Sequence, residues 1–192
     1  MKNIFDPIWY FFNYGLEPDT RTIFMGTNHE SENTGTDYLM AQRVIKALHI
    51  LEKTKGDIRI IMNNEGGFWT DGIAMYDYIK ACKNSVIIDV VGQASSMGAI
   101  ILQAADIRRV AKHSKIMVHY GKDGLSPEHP EIYRRWAGES ERIKGEIHKI
   151  LLPKIREKKK KFTESQLVNI LNFDTIYSAQ EAIDMGLADE II

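Results

Sequence analysis

Cysteine is almost missing from this chain: among 192 residues there is one, Cys82. No internal disulfide can form, and such usage suits a reducing compartment. With no second cysteine and with six scattered histidines, no zinc-type ligand cluster can be read either. Net charge is nearly absent, at -1, so nothing draws the whole molecule toward nucleic acid or an anionic membrane. No apolar run is long enough to cross a bilayer. The aromatic stretch IFDPIWYFFNYGL is too short and is broken at Asp6-Pro7. It has no small-residue cleavage site, so no secretory signal is expected. It reads either as a segment packed on the core or as an arm, residues 1–20, that meets a partner. Internal repeats, linkers and low-complexity tracts are also missing, as is the nucleotide-cradling pattern G-x-x-x-x-G-K-[ST].

What is present is an ordinary globular balance, 44% hydrophobic and 27% charged, enough for one domain with a sizeable core. Thr36 or Asp37 can cap a helix to about Lys53, whose residues Met40, Val44, Leu48 and Leu51 recur at spacings of four and three. DIRIIM reads as a strand and NNEGG as a loop. Thr70 can cap a second helix through Ile73, Tyr76 and Ile79. SVIIDVVG is β-branched almost throughout, as in a strand buried on both faces, and MGAIILQAA follows as a helix. IRRVA and KIMVH are short strands. A helical pattern then runs from Glu128 to about Lys160, with Pro153 as an expected break or kink. Thr163 with Gln166 and Ser178 with Glu181 form two capping boxes. The second opens a short helix closed by Gly186, before the terminal strand LADEII. Alternating strands and helices predict an α/β domain. The lysines at 158 to 161 suit a solvated helix end; a nucleic-acid contact is poorly supported.

The stretch GQASSMGA carries the chemistry. A serine between a buried strand and a helix can sit on a sharp turn, its hydroxyl projecting beyond the sheet. Ser96 has Ala94 and Gly98 two positions to either side, whereas Ser95 has the bulkier Gln93 and Met97. The spacing favours Ser96, although a plain N-cap serine has the same local look. Gly66-Gly67 lets the backbone approach a ligand closely, so the N–H groups of Gly67 and Met97 can form an oxyanion hole; a plain turn is the alternative. Six histidines compete as base. His49 lies mid-helix, His29, His129 and His148 lie in polar or helical surface contexts, and His113 lies in a turn. His119 ends a strand, where side chains reach the crevice of an α/β sheet. For the orienting acid, Asp106, Asp123, Asp174, Asp184 and Asp189 all remain open.

Together these segments resemble the proteolytic subunit of the Clp protease family, over about Arg21 to Ile192. RTIFMG is similar to the family's first strand, DIRIIMNNEGG to its oxyanion strand and loop, GQASSMGA to its nucleophile segment, SKIMVH to its histidine strand, and DTIYSAQEAIDMGLADEI to its C-terminal segment. The resemblance implies Ser96 as nucleophile, His119 as base and Asp174 as orienting acid. That chain order differs from those usual in trypsin-like, subtilisin-like and α/β-hydrolase enzymes. It implies a Clp/crotonase-type superhelix of repeated ββα units with a helical handle at about 125–170, forming a single peptidase domain over 1–192. It further implies a cytoplasmic serine endopeptidase acting on polypeptides inside stacked seven-fold homo-oligomeric rings. ATP would be used by an AAA+ unfoldase partner, with no cofactor, metal or membrane span in this chain. A non-proteolytic ring scaffold, a crotonase-type acyl-CoA enzyme and a specialised processing protease are the rival readings. The chain departs from the family at Asn64-Glu65, where Ser-Pro is usual, at Tyr120-Gly121, where Gln-Pro is usual, and at Phe173, where an arginine is common. KDGLSPEHP replaces the family's glycine-rich handle strand, and its prolines oppose a regular strand.

Overall fold

The computed structural model describes residues 7–26, 35–121 and 129–192. The chain opens with α1 (Pro7–Tyr14) and β1 (Leu16–Glu17). Strand and helix then alternate through β2 (Thr22–Met25), α2 (Tyr38–Leu51), β3 (Ile58–Asn64), α3 (Trp69–Ala81), β4 (Val86–Ser95), α4 (Met97–Leu102) and β5 (Ile107–Val110). After β6 (Lys115–Val118) come the long α5 (Pro130–Lys158), α6 (Glu164–Leu171), β7 (Thr175–Ser178), α7 (Ala179–Met185) and β8 (Glu190–Ile191). The segment KDGLSPEHP spans 122–130, of which 122–128 lie outside the described residues, while His129 and Pro130 cap and open α5. Among the described residues no helix is long and apolar enough to cross a membrane.

Strands β2 to β5 pair in parallel in chain order, with β1 antiparallel at one edge and β8 parallel beyond β5. Parallel neighbours need crossovers, and α2, α3 and α4 supply them. The α/β architecture is the one expected. Strand β4 serves two partners: Ile87–Val90 lies beside β5, and Gln93–Ser95 lies beside β6. The switch falls at Gly92, whose φ of +101° suits glycine. Its N–H donates to Ser114 Oγ (2.9 Å), which donates to Val90 O (3.0 Å). Strand β6 then pairs antiparallel with β7. The ends of β4 and β6, and the start of β7, therefore meet on one side.

Alternation sets the inner face. Ile58, Ile60, Met62 and Asn64 of β3 are buried, with Ile88 and Val90 of β4 beside them. The stripe Met40, Val44, Leu48 and Leu51 of α2 joins this core, and Asp37 rather than Thr36 caps the helix by accepting the Met40 N–H (2.8 Å). Asp89, on the other face of β4, is buried between the guanidinium groups of Arg59 and Arg109. Both capping boxes form, and Gly186 closes α7 with φ +84°.

Two expectations need correction. Thr70 does not cap α3; it lies in the first turn, and Phe68 holds the cap position without a side-chain bond. The start is fixed by tertiary pairing instead: Gly67 bridges Thr36 in parallel, and Phe68 N–H donates to Thr36 O (2.9 Å). Pro153 does not end α5, which runs through it. Ile147, Leu151 and Ile155 are buried at spacings of four across that point. Burial of about 1.5–3 kcal/mol for each such side chain outweighs the roughly 3 kcal/mol cost of an internal proline.

The aromatic N-terminal segment divides between its two readings. Phe11 meets Phe24 edge-on at 4.9 Å, while Ile8, Trp9 and Phe12 on α1 stay exposed.

Candidate active site

Ser96 stands between the end of β4 and the start of α4, at φ +52° and ψ -119°. The backbone on both sides holds it there. Its N–H donates to Met117 O of β6 (2.8 Å), and its carbonyl accepts from Ala99 (3.0 Å) and Ile100 (3.3 Å). An L-residue at this φ is strained, a condition found at sites where the surroundings over-determine the backbone. The hydroxyl lies 2.8 Å from His119 Nε2. Ser95 turns away: it is buried, and its hydroxyl donates to Gln93 Oε1 (3.1 Å).

The antiparallel register of β6 and β7 ends on Val118 opposite Thr175. The residue after β6 is His119 and the residue before β7 is Asp174, so the pairing itself sets them side by side. His119 Nδ1 is 2.7 Å from Asp174 Oδ1. The imidazole is largely covered, whereas 67% of the Asp174 side chain is exposed. A carboxylate on Nδ1 fixes the proton there and leaves Nε2 as acceptor toward the hydroxyl.

The glycine loop packs directly on this turn. A Cβ on Gly66 would fall 2.5 Å from Ser96 Cβ and 3.1 Å from Met97 N, and its φ is +102°. The loop is held by Asn64, which the sequence marked only as a departure from the family's Ser-Pro. Asn64 is fully buried; its Oδ1 accepts the Gly66 N–H (2.7 Å), and its Nδ2 donates to Thr36 Oγ1 (3.0 Å). A Cβ on Gly98 would clash with Asn64 O at 2.9 Å. Asn64 therefore sits under both the loop and the first turn of α4. Two adjacent asparagines look like loop residues in sequence, and only burial reveals the second as a brace.

The competing acids are engaged elsewhere. Asp106 accepts the Val86 N–H, Asp184 accepts from Gln180, and Asp189 pairs with Arg108. Asp123 and His29 lie outside the described residues. Among the other histidines, His49 contacts Tyr78 Oη, His129 caps α5, and His148 lies against Tyr120 and Glu164. Among the described residues no group of three or more His, Cys, Asp or Glu converges on a metal position.

A hydroxyl, an imidazole and a carboxylate in line suit general-base activation of an oxygen nucleophile. The comparisons agree with that chemistry. The family model described as Clp protease matches residues 16–192, leaving α1 outside. The ATP-dependent Clp protease proteolytic subunit 2 of Chlamydia pneumoniae is 32% identical over 157 residues, covering 80% of this chain and 74% of that protein. A match that takes in the serine turn, the glycine loop and the paired β6 and β7 leaves one conclusion: this chain belongs to the Clp protease family.

Proposed function

We propose that Ser96, His119 and Asp174 form the catalytic triad of this serine endopeptidase, with the N–H groups of Gly67 and Met97 as its oxyanion hole. Ser96 Oγ attacks the peptide carbonyl while His119 Nε2 takes its proton. The imidazolium returns that proton to the leaving amine, giving an acyl-enzyme. Water then attacks the ester by the same route, and the carboxyl product leaves. Asp174 holds the imidazole in the productive tautomer and stabilises its charged form. The observation that carries this reading is the unbroken hydrogen-bonded line from Ser96 through His119 to Asp174. Met97 opens α4 immediately after Ser96, and the glycine loop abuts its N–H. These are the positions where two donors can meet a tetrahedral oxyanion. A non-proteolytic scaffold or an acyl-CoA enzyme has no need of a serine hydroxyl 2.8 Å from an imidazole.

Polypeptide is the substrate class, and no cofactor enters these steps. Assembly into a cytoplasmic homo-oligomeric ring, seven-fold and stacked in pairs, and feeding by an AAA+ unfoldase belong to the same proposal. The naming of the Chlamydia relative as a proteolytic subunit of an ATP-dependent protease supports the multi-subunit assembly and the ATP-using partner. The apolar residues left exposed on α1 and α2, among them Trp9, Phe12, Tyr38 and Leu39, give a ring neighbour something to cover. Sedimentation across a range of salt tests this; a monomer at micromolar concentration overturns the ring.

The triad is tested by mass spectrometry of the adduct with a fluorophosphonate probe. Ser96→Ala abolishes labelling and lowers peptide hydrolysis by about a millionfold, the scale for losing a triad serine. Ser95→Ala leaves labelling intact, because its hydroxyl faces Gln93. An adduct that persists in Ser96→Ala and vanishes in Ser95→Ala overturns the assignment.

A further inference from the structure

A second histidine stands behind the first. Tyr120 directly follows His119, and its hydroxyl lies 2.5 Å from His148 Nε2 on α5. His148 Nδ1 in turn lies 2.8 Å from Glu164 Oε1 in the first turn of α6. The Tyr120 N–H donates to Leu171 O, at the other end of α6 (2.9 Å). One tyrosine thus reaches both ends of that helix, its side chain through His148 and its backbone directly. The chain that leaves Leu171 arrives at Asp174 within one short turn. Both His119 and Asp174 are therefore suspended from the same closed circuit of contacts.

We propose that Tyr120 and His148 are positioning residues, and that through the relay Tyr120–His148–Glu164 the helical arm α5–α6 fixes where His119 sits between Ser96 and Asp174. This rests on the triad assignment above and adds a second layer to it. The proton order along the relay follows from the partners. A carboxylate at Nδ1 holds the His148 proton there, so Nε2 accepts from the phenol. Burial raises the Tyr120 phenol above its ordinary value; Lys144 opposes this, and Glu141 and Glu164 reinforce it. The phenol therefore remains the donor. Lys144 Nζ lies 5.4 Å from the centre of the Tyr120 ring, and the His148 ring lies 5.8 Å from it, so the ring is confined as well as bonded.

Holding the arm on the core does not require this relay. Leu151 and Ile155 of α5, and Leu167 and Leu171 of α6, are already buried there. What the relay adds is direction. It ties the backbone next to His119 to side chains that a purely apolar contact would let slide. An open cleft of about 360 Å³ lies alongside, lined by His119, Tyr120, Lys144, Leu171 and Asp174, so among the described residues no other packing fills that side of the imidazole.

The test uses the full-length assembled protein and two readouts. One is the second-order rate of Ser96 labelling by a fluorophosphonate, which reports activation of the nucleophile without peptide binding. The other is kcat and KM for a short fluorogenic peptide. Tyr120→Phe keeps the ring and removes only the hydroxyl. It and His148→Ala should lower kcat and the labelling rate together, by about 3- to 10-fold, with KM unchanged, as expected for one lost hydrogen bond. The double variant should be no worse than either single one, because both break the same line. Glu164→Gln should behave as wild type, since its amide oxygen still accepts the His148 N–H, whereas Glu164→Ala should fall with the others. Wild-type kcat and labelling in Tyr120→Phe and His148→Ala, or a change confined to KM, overturns the relay alone. Failure of the wild-type protein to label overturns the triad, and the relay with it.

Discussion

In the proposed triad, Asp174 is the residue on which the local chemistry turns most sharply. Its carboxylate is mostly solvated, so the fold does not depend on it, yet its contact with His119 Nδ1 selects the tautomer. Asp174→Asn should keep the thermal midpoint within a few degrees and lower kcat about ten-thousandfold, the scale seen when an amide imposes the wrong tautomer. Peptidase assay alongside a melting curve checks both halves; near-normal turnover in a folded variant would assign the orienting role to another group. The strand-to-helix turn at Ser96 was legible in the sequence, because Ala94 and Gly98 permit it and Ser95 lacks such flanks. Asp174 was not. Five aspartates had equal local claims, and the one that meets His119 is set by the pairing of β6 with β7, which no local pattern encodes. Only the family resemblance singled it out beforehand.

At the scale of elements, the local signals that held were those satisfied within one turn of chain. The stripe of α2, the boxes opening α6 and α7, and Gly186 closing α7 all depend on near neighbours. The signals that failed were overruled from a distance. The start of α3 is set by Thr36, and the continuity of α5 through Pro153 by its buried flanks. The α2 cap has a measurable worth. Asp37→Ala leaves the Met40 N–H without its acceptor and should cost about 1 kcal/mol of stability. Urea unfolding should show a lower midpoint with an unchanged slope. The cost should reach the active site as well, because Thr36, next to that cap, braces Asn64 and pairs with the Gly66–Phe68 backbone. A loss of stability with no change in kcat would show that the brace tolerates a frayed helix.

Across the whole molecule, the C-terminal segment is anchored by one buried cation. Arg108 donates to Asp189 Oδ1 (2.5 Å), to Gln103 Oε1 (2.6 Å) and to Gly186 O (2.9 Å). Burial pushes the Asp189 carboxyl up, but bonds from the Arg108 side chain and backbone and the charges of Arg108 and Lys154 bring it below its ordinary 3.8. A carboxyl lowered by folding contributes stability that is fully present above the unfolded value and is lost as pH falls through the folded one. The acid limb of the unfolding curve should therefore steepen below about pH 3.8, and Asp189→Asn should flatten it while lowering stability at neutral pH. An unchanged acid limb would place the sensitivity at another carboxylate. The strained backbone at Ser96 has a consequence of a different kind. Serine there costs about 1–3 kcal/mol relative to relaxed backbone, and glycine would relieve part of that strain while deleting the proposed nucleophile. Selecting variants of this chain for survival at high temperature should therefore enrich Ser96→Gly, and selecting for turnover should eliminate it. A library passed through both sieves would record at that one codon how much resilience the lineage has given up to keep cutting peptide bonds.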